Sequence, residues 1–342
     1  MQKKRNNLKI RIKNRSIGEN NPVFVIAEAG INHNGNLKIA KKLIEKAKES
    51  GADAIKFQTF RSTDLVSTKS STFKIFKKLE LGFQDFYEIS NHAKKRNIIF
   101  LSTPFSDEAV DILVKSKSAA LKIASGDLTN LPLIKYAASK KLPMIVSTGM
   151  GTMSEVKEAV RSIRSKGNKN IIIMHSVSAY PTPPTEVNLS SILTLKEKFP
   201  YPVGYSDNGK DLLVPIVAVA MGASIIEKHL TLDQNLSGPD HKLSANPKEF
   251  QNLVKNIRNV EKMLGDGKKK CQLSELENRI NARRSIFAKL TINKDEKIKK
   301  NMIDFLRPAI GIPPKNVSNV IGKRVKRRLK AGEPIKWNDL RK

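Results

Sequence analysis

The sequence predicts an α/β fold in which a (β/α)₈ barrel of the TIM type precedes a small β-rich domain. Eight short apolar runs alternate with amphipathic, lysine-rich stretches through about the first three quarters of the 342 residues. Near-continuous apolar runs are typical of strands buried on both faces, as in a parallel sheet with crossover helices. Eight such units over about 250 residues match the size of a barrel. A doubly wound open sheet is the alternative.

The eight apolar runs are five to seven residues long and rich in Ile and Val. They are Phe24–Gly30, Ala54–Phe60, Ile98–Pro104, Ala120–Ser125, Met144–Gly149, Ile171–Val177, Val203–Asp207 and Ser224–Leu230. The stretches between them place apolar residues at every third and fourth position, which is the pattern of a helix with one buried face. This pattern predicts helices over Leu37–Ser50, Ser154–Lys166 and Pro247–Leu264.

We divide the chain into four parts. Residues 1–20 form a basic N-terminal extension, in which the alternating segment Leu8–Ile12 predicts a hairpin strand that closes the bottom of the barrel. Residues 21–265 form the barrel. A polar linker, 266–282, connects it to residues 283–342, where short strand-like pieces with Gly and Pro predict a separate small domain.

The charge balance raises the question of a polyanionic partner. The chain carries 63 Lys and Arg against 32 Asp and Glu, a net charge of +31. A nucleic-acid-binding module gathers basic and aromatic residues on one face. Here aromatics make up 6% and the lysines are spread over helical stretches, so we expect no nucleic acid partner. A secondary anionic partner at the N-terminal tail or at Lys323–Lys330 is the alternative that we keep open.

The cellular setting follows from what the sequence lacks. Cys271 is the only cysteine, which excludes an internal disulfide and a Cys-based zinc site within one chain. Residues 1–20 contain no apolar segment of a secretory signal, and no apolar run approaches the roughly 20 residues of a membrane helix. We therefore expect a soluble, cytoplasmic protein.

Nearly every predicted strand ends in a polar residue. In a barrel of this kind the chemistry occurs at the C-terminal ends of the strands, so these residues are expected to converge on one site. They are Glu28, Lys56, Gln58, Thr103, Lys122, Ser125, Ser147, His175, Ser206, Asp207, Glu227 and His229.

Lys56 and Lys122 each interrupt an apolar strand, where an unpaired ammonium costs several kcal/mol. One interpretation pairs each lysine with a carboxylate of a neighbouring strand, such as Glu28. The other brings both cations to an anionic substrate, a carboxylate or a phosphate, with hydrogen bonds from Thr103, Ser125 and Ser147. Two lysines at equivalent depth favour the anion, since a Schiff-base lysine would explain only one of them.

Glu227 and His229 lie two residues apart, so both point to the same face of a strand. Asp240 follows in a loop over the same rim, to which Glu28 also belongs. A mixed imidazole and carboxylate set suits Mn²⁺ or Mg²⁺ better than zinc. Taken alone, His229 could equally be a hydrogen-bonded core histidine.

Taken in order, the strand-end motifs resemble the sialic acid synthase family. They read IAEAGINHNG, DAIKFQTF, LSTPF, LKIASGDLTN, IVSTGM, HSVSAYPTPPTEVNL, VGYSD, EKHLTLD and GPDHKLS. The tail, with FLRPAIGIPP and AGEPI, resembles the antifreeze-like (SAF, β-clip) domain of those synthases. The resemblance implies an N-acetylneuraminate synthase type of transferase. Such an enzyme condenses phosphoenolpyruvate with an N-acetylated hexosamine such as N-acetylmannosamine and releases phosphate.

The resemblance also implies a role for each matching residue. The phosphoenolpyruvate-binding group would be Lys56, Thr103, Lys122, Ser125, Ser147, Ser178 and Ser206. The residues facing the sugar would be Glu28, Gln58, Tyr180 and Asp240, with Glu28, Lys56, Lys122 and Glu227 as the catalytic set. Arg307 would reach from the small domain of one subunit into the barrel of its partner, which implies a domain-swapped homodimer.

One position departs from the family pattern. Where the family has a second metal-binding histidine after the Ser-Asp pair, this chain has Asn208, so the implied metal ligands are His229 and Asn208. An amide oxygen binds Mn²⁺ or Mg²⁺, but it is a weaker ligand than imidazole for transition metals. We expect retained activity with altered metal affinity.

The acceptor sugar is left open. N-acetylmannosamine, its 6-phosphate and the diamino-trideoxy hexoses that lead to legionaminic or pseudaminic acid are the candidates. A barrel that binds sugar without catalysis and carries a basic, nucleic-acid-binding surface is the alternative from another class of protein.

Overall fold

The computed structural model describes residues 8–341 of the chain, and these form two compact units that meet in sequence at Gly265 and Asp266. Residues 1–7 of the predicted N-terminal extension, with their lysines and arginine, lie outside the described residues, as does Lys342. Within the described part, no helix is long and apolar enough to cross a membrane.

The first unit begins with an antiparallel hairpin of β1 (Ile10–Ile12) and β2 (Arg15–Ile17), in which Ile10 lies opposite Ile17. The three isoleucines of the hairpin are buried among the residues that open the barrel strands, such as Phe24. The hairpin therefore covers the N-terminal end of the barrel and completes the core there.

The next strands close into a parallel barrel, which confirms the predicted fold and rules out the open sheet. In the described residues its eight strands are β3 (Phe24–Gly30), β4 (Ala54–Thr59), β5 (Ile99–Pro104), β6 (Leu121–Ile123), β7 (Met144–Ser147), β8 (Ile171–Ser176), β9 (Val203–Asp207) and β10 (Ile225–His229). They follow chain order around the barrel, and β10 closes it by pairing with β3.

Helices surround the barrel between consecutive strands. They are α1 (Leu37–Glu49), α2 (Ser62–Leu65), α3 (Phe73–Leu79), α4 (Asp85–Lys95), α5 (Asp107–Lys115), α6 (Leu131–Ser139), α7 (Met153–Ser165), α8 (Ser190–Lys198), α9 (Leu213–Ala220) and α10 (Pro247–Leu264). Side chains fix several N-termini: Asn36 accepts from the Lys38 and Ile39 amides ahead of α1, and Thr152 forms a capping box with Glu155 at α7.

Strand alternation divides the barrel residues between two environments. In β4, Ile55 and Phe57 point outward into the apolar layer beneath the helices, whereas Lys56 and Gln58 point inward. In β10, Ile226 points outward and Glu227 inward. The same alternation that buries the apolar layer therefore brings the polar residues inside the barrel.

The second unit contains α11 (Leu276–Ala282), β11 (Ser285–Ala288) and β12 (Ile303–Leu306), and the two strands pair antiparallel. Its core is aliphatic, with Ile286 and Val325 fully buried. The segment expected as a linker contains α11, whose Ile280 carbonyl accepts a 2.8 Å hydrogen bond from the Ala309 amide.

Candidate active site

A cavity of about 350 Å³ opens at the C-terminal ends of the barrel strands, where the sequence predicts the chemistry. The predicted site residues that line it are Glu28, Lys56, Gln58, Thr103, Lys122, Ser125, Ser147, Ser178, Tyr180, Ser206, Asn208, Glu227 and His229. The barrel thus brings side chains from all of its strands to one concave site, the position at which enzymes of this fold bind substrates.

The strand register makes neighbours of these residues. In the β3–β4 pair Glu28 lies opposite Lys56, and in the β3–β10 pair it lies opposite His229. In the β9–β10 pair Ser206 lies opposite Glu227. Residues opposite one another in a parallel pair share a face of the sheet, so each pair points into the barrel together.

Four charged side chains form a buried network at the floor of the cavity. Lys56 Nζ lies 2.8 Å from Glu28 Oε2 and 3.7 Å from Glu227 Oε1. Lys122 Nζ lies 2.8 and 3.0 Å from the two carboxylate oxygens of Glu227. All four are at most 5% exposed. Both lysines are therefore ion-paired, as the salt-bridge interpretation has it, and both also line the cavity.

The two carboxylates of the network differ in proton affinity. Burial would raise the pKa of Glu227, but Lys122 and Lys56 outweigh it and lower that pKa to about 2. Burial raises the pKa of Glu28, and Lys56 only partly opposes it. Burial alone would lower the pKa of Lys56, but the two carboxylates raise it. Carboxylates whose pKa values are pushed apart can serve as one permanent charge and one proton carrier.

Hydroxyl groups line the wall of the cavity next to the lysines. Lys56 Nζ donates to Thr103 Oγ1 at 3.1 Å, and Ser206 Oγ donates to Glu227 Oε1 at 3.0 Å. The Gly149 amide donates to Ser125 Oγ at 3.1 Å. A Cβ atom on Gly149 would lie 2.8 Å from Ser125 Oγ and closer still to Ser178 Oγ, so glycine is required for this approach.

Three polar side chains surround Gly30 at the β3–β10 edge. A Cβ atom on Gly30 would lie 3.4 Å from Glu28 Oε1, 3.6 Å from the His229 ring and 3.7 Å from Asp240 Oδ2. Gly30 has a φ of 51°, which favours glycine. His229 Nδ1 is buried without a hydrogen-bond partner among the described residues and lies 3.9 Å from Asp240 Oδ2.

The residues fit a hard divalent cation in their chemistry, but they supply few ligands for it. Among residues 8–341, no three His, Cys, Asp or Glu side chains are placed to hold a metal ion by themselves. The unpartnered His229 nitrogen provides one donor. Asn208 lines the same cavity, and its Nδ2 donates to the Val177 carbonyl at 2.8 Å, which fixes the amide. Mixed nitrogen and oxygen donors are suited to Mn²⁺ or Mg²⁺.

The comparisons with known proteins agree with this geometry. A profile of the NeuB family matches residues 43–269. The chain belongs to the NeuB family. A profile of the SAF domain matches residues 283–341, so both parts of the predicted resemblance to sialic acid synthases are confirmed.

Relatives of this NeuB-family chain are acid synthases, and the chain is an enzyme of the same kind. It is 42% identical to the N,N′-diacetyllegionaminic acid synthase of Legionella pneumophila, over 94% of this chain and 96% of the relative. It is 33% identical to the N-acetylneuraminate-9-phosphate synthase of Homo sapiens, over 91% and 90% of the two chains. The crystal structure of N-acetylneuraminic acid synthetase from Leptospira borgpetersenii with citrate gives a TM-score of 0.76 at 41% identity, over 80% of this chain and 95% of that chain.

Two strand-end residues of this NeuB-family barrel point away from the cavity. His175 Nε2 bonds to the Val187 carbonyl at 2.7 Å, and its ring packs against Tyr205 in the layer beneath the helices. Asp207 forms a fully buried ion pair of 2.6 Å with Lys228. Their expected convergence on the site was wrong because each lies one residue out of phase with the inward face.

Two predicted site residues do not line the cavity. Asp240 stands at its edge, beside His229. Arg307 is exposed and directly follows β12 in the second unit, so its approach to a partner's barrel stays a prediction. Sequence reasoning missed five lining residues: Phe105, Ala124, Gly126, Met150 and Ser176. The alternation of β8 could have indicated Ser176 in place of His175.

Proposed function

We propose that this enzyme condenses phosphoenolpyruvate with an N-acetylated hexosamine, releases phosphate and forms a nonulosonic acid. The observation that carries the proposal is the division of one cavity into two ends. One end holds Lys56, Lys122 and a wall of hydroxyls, the other holds His229 and the nearby Asp240, and Glu28 lies between them, 2.8 Å from Lys56 Nζ and opposite His229 in the strand register. A small dianion or trianion suits the first end, and a polar sugar suits the second.

The lysine end fits a ligand with two anionic groups. Phosphoenolpyruvate carries a carboxylate and a phosphate, and charge-assisted hydrogen bonds to ammonium groups are the strongest that such groups form. Thr103, Ser125 and Ser147 add hydroxyl donors around the lysines. Within the network the lysines are balanced by two carboxylates, so an arriving anion would favour protonation of the carboxylate with the raised pKa, Glu28.

The same residues support the bond changes of a condensation. C3 of phosphoenolpyruvate attacks the aldehyde carbon of the open-chain sugar, and the aldehyde oxygen takes a proton, which Glu28 with its raised pKa would deliver. Water then adds at C2 and gives one proton back to the Glu28 carboxylate. The carbon–oxygen bond to phosphate breaks, the second proton of the water goes to the departing phosphate, and a 2-keto acid remains. Lys56 and Lys122 stabilise the negative charge of the departing phosphate. A divalent cation held by His229 and Asn208 would supply polarisation of the aldehyde oxygen.

One comparison favours a second acceptor. The relative at 42% identity is named as a N,N′-diacetyllegionaminic acid synthase, whereas the relative at 33% is named for a phosphorylated product. A diamino-trideoxy hexose carrying two acetamido groups is therefore the second candidate beside N-acetylmannosamine.

The proposal is tested by phosphate release from phosphoenolpyruvate in the presence of N-acetylmannosamine, its 6-phosphate and the diacetamido-trideoxy hexoses, one at a time. We expect one acceptor to give phosphate and a product whose mass is that of the sugar plus the pyruvate unit. Sugar binding without phosphate release, for every member of the panel, would support the non-catalytic barrel instead.

A further inference from the structure

A second cavity, of about 890 Å³, lies at the opposite end of the barrel from the active site. Its walls come from the hairpin, the C-terminal ends of α1 and α5, one side of α4, the residues just before β4 and the beginning of β5. We call it the basal cleft and define it by residues within 11–15, 48–53, 87–100 and 115–117. None of the predicted catalytic residues lines it, so a ligand there would be distinct from the substrates.

The basal cleft is strongly basic. Of the described residues that line it, seven are lysine or arginine and one, Asp53, is acidic. Asp53 is already bound by Arg15 at 2.5 Å and by Arg258 at 3.0 Å. Lys94 and Lys115 form no salt bridge with any residue of the described range 8–341. Clustered cations without counter-charges produce a positive potential that attracts anions.

The helix dipole explains only part of the cluster, namely Lys48, Lys94 and Lys115 in the last turns of α1, α4 and α5. Cations near a helix C-terminus stabilise the exposed carbonyls and the helix dipole. Lys48 Nζ also donates to the carbonyl of Asn97, which follows α4, at 2.9 Å. Arg11 and Lys13, however, belong to the hairpin, which has no helix dipole to balance. The cleft therefore draws cations from separate elements toward one volume.

A buried hydroxyl that has no partner within residues 8–341 also lies at the wall of the basal cleft. Ser116 lines the basal cleft, is 4% exposed, and its Oγ has no hydrogen-bond partner among the described residues. Its carbonyl is engaged, because it accepts from Ser90 Oγ. Buried polar atoms are rarely left unpaired, so this hydroxyl is a further hydrogen-bonding group at the wall of the basal cleft.

We propose that the basal cleft binds a small molecule carrying two or more linked phosphates, such as a nucleoside triphosphate. The cations exceed what a single phosphate requires, and they are spread over the hairpin and the ends of α4 and α5. Arginine and lysine are the usual phosphate ligands. The half-buried Tyr87 is placed to contact an apolar or aromatic part of the ligand. A nucleic acid strand would need a row of exposed aromatics, which the described residues of the cleft do not provide.

The test is isothermal titration of the full chain with sodium tripolyphosphate, with ATP and with a short single-stranded oligonucleotide, in EDTA at about 0.15 M salt. The test variant is K94Q/K115Q, which removes lysines from the last turns of α4 and α5. The matched control is K198Q/K262Q, which removes last-turn lysines from α8 and α10 away from the cleft. Tripolyphosphate reports on the phosphate chain alone, and ATP reports on the added nucleoside.

We expect tripolyphosphate or ATP to bind the wild type and the control equally, and to bind K94Q/K115Q about tenfold or more weakly. Phosphoenolpyruvate should not displace either probe, because its expected site is at the other end of the barrel. Absence of binding, or equal weakening in both variants, would overturn the proposal. Binding of the oligonucleotide tighter than both small probes and dependent on the same lysines would overturn it in favour of a nucleic acid. Condensation activity is measured separately, so failure of this proposal leaves the proposed function intact.

Discussion

Glu227 holds the central position in the buried charge network, because both lysines approach it. Its carboxylate lies 2.8 Å from Lys122 Nζ and 3.7 Å from Lys56 Nζ, and Ser206 donates to it as well. Removing one partner of a buried ion pair is strongly destabilising, since the other partner is left charged and unpaired. The network therefore fixes the lysines in place for a substrate and ties the stability of the barrel to pH.

Replacing Glu227 with glutamine should destabilise the protein in a pH-dependent way. The folded-state pKa of about 2 lies below the value of about 4.3 in an unfolded chain, so the carboxylate contributes stability above pH 4.3. That contribution is lost as the pH falls toward 2. We expect E227Q to lower the free energy of unfolding by roughly 3 kcal/mol at pH 7 and by clearly less at pH 3.

Urea unfolding of wild type and E227Q at both pH values measures this difference. The control is Glu49→Gln on α1. Glu49 forms an exposed salt bridge with Lys46, and such a surface pair should contribute little to stability at either pH. An equal loss of stability for E227Q at pH 7 and pH 3 would contradict the ionised, lysine-paired state of Glu227.

Asn208 should set the metal preference of the enzyme. An imidazole is a stronger ligand than an amide oxygen for transition metals, so Asn208→His should tighten Mn²⁺ binding by about tenfold or more while leaving Mg²⁺ less affected. Titration of chelator-treated protein with Mn²⁺, Mg²⁺ and Co²⁺ measures the affinities, and activity on re-addition provides a second readout. Full wild-type activity in strictly metal-free buffer would refute the metal assignment.

At the scale of elements, the ends of the strands bring the candidate site residues together. The sequence predicts the bounds of some of these strands better than those of others. The apolar runs Phe24–Gly30 and Val203–Asp207 predict β3 and β9 with the observed bounds. The run Ala120–Ser125 predicts too long a strand, because β6 ends at Ile123 and a 3₁₀ turn begins at Ser125. Apolar residues therefore indicate that a strand is present, but they do not fix its last residue, because the hydrogen bonds of the following turn decide where the strand ends.

The register and the pairing of side chains depend on closure of the barrel. Lys122 and Glu227 are 105 residues apart and meet only because β6 and β10 face each other across the interior. The sequence identifies both residues as site candidates, yet nothing local indicates that they pair. His175 shows the same limit, since a shift of one residue along β8 decides whether a side chain faces the cavity or the helices.

The end of β7 should tolerate no side chain at Gly149. A Cβ atom there would press on the hydroxyls of Ser125 and Ser178, which line the cavity. We expect Gly149→Ala to lower kcat/KM for phosphoenolpyruvate by about a hundredfold, since small displacements of positioning groups have effects of this size. Steady-state phosphate release measures it.

Gly82→Ala is the control for this glycine, because the nearest neighbour of its Cβ would be the side chain of Asp85 outside the cavity. It should keep nearly full activity. If Gly149→Ala retained kcat/KM within threefold of wild type, the hydroxyl wall would not be part of the phosphoenolpyruvate site.

At the scale of the whole molecule, the chain joins a NeuB-family barrel to a SAF domain, and Arg307 in the second unit is the proposed link between subunits. In a domain-swapped homodimer each site would combine one subunit's barrel with its partner's Arg307. A heterodimer of K122M and R307A would then contain one site with both defects and one intact site.

Co-expression of K122M and R307A under separate affinity tags should therefore restore activity that neither variant has alone. Purification through both tags keeps only the mixed dimers, each with one intact site of two, so we expect about half of wild-type activity. Phosphate release by the doubly purified mixture is the measurement. Activity no higher than that of the separate variants would contradict the exchange of Arg307 between subunits.

The basic residues that give the chain its net charge fall into distinct structural groups. Many lysines of the described residues lie on the helices around the barrel or in the second unit, whereas Lys56 and Lys122 are buried at the candidate active site and the lysines of the basal cleft form a separate group. Composition alone cannot distinguish these populations, because only the fold determines which cations converge.

The central claim is that one cavity joins phosphoenolpyruvate to an amino sugar with Lys122 as an essential cation. The most direct measurement is phosphate release together with the product mass for wild type, K122M and the exposed control Lys135→Met on α6. We predict equal amounts of phosphate and sugar-plus-pyruvate product for wild type and the control, and a loss of about a hundredfold or more for K122M. Undiminished product formation by K122M, or phosphate released without any carbon–carbon product, would contradict the claim.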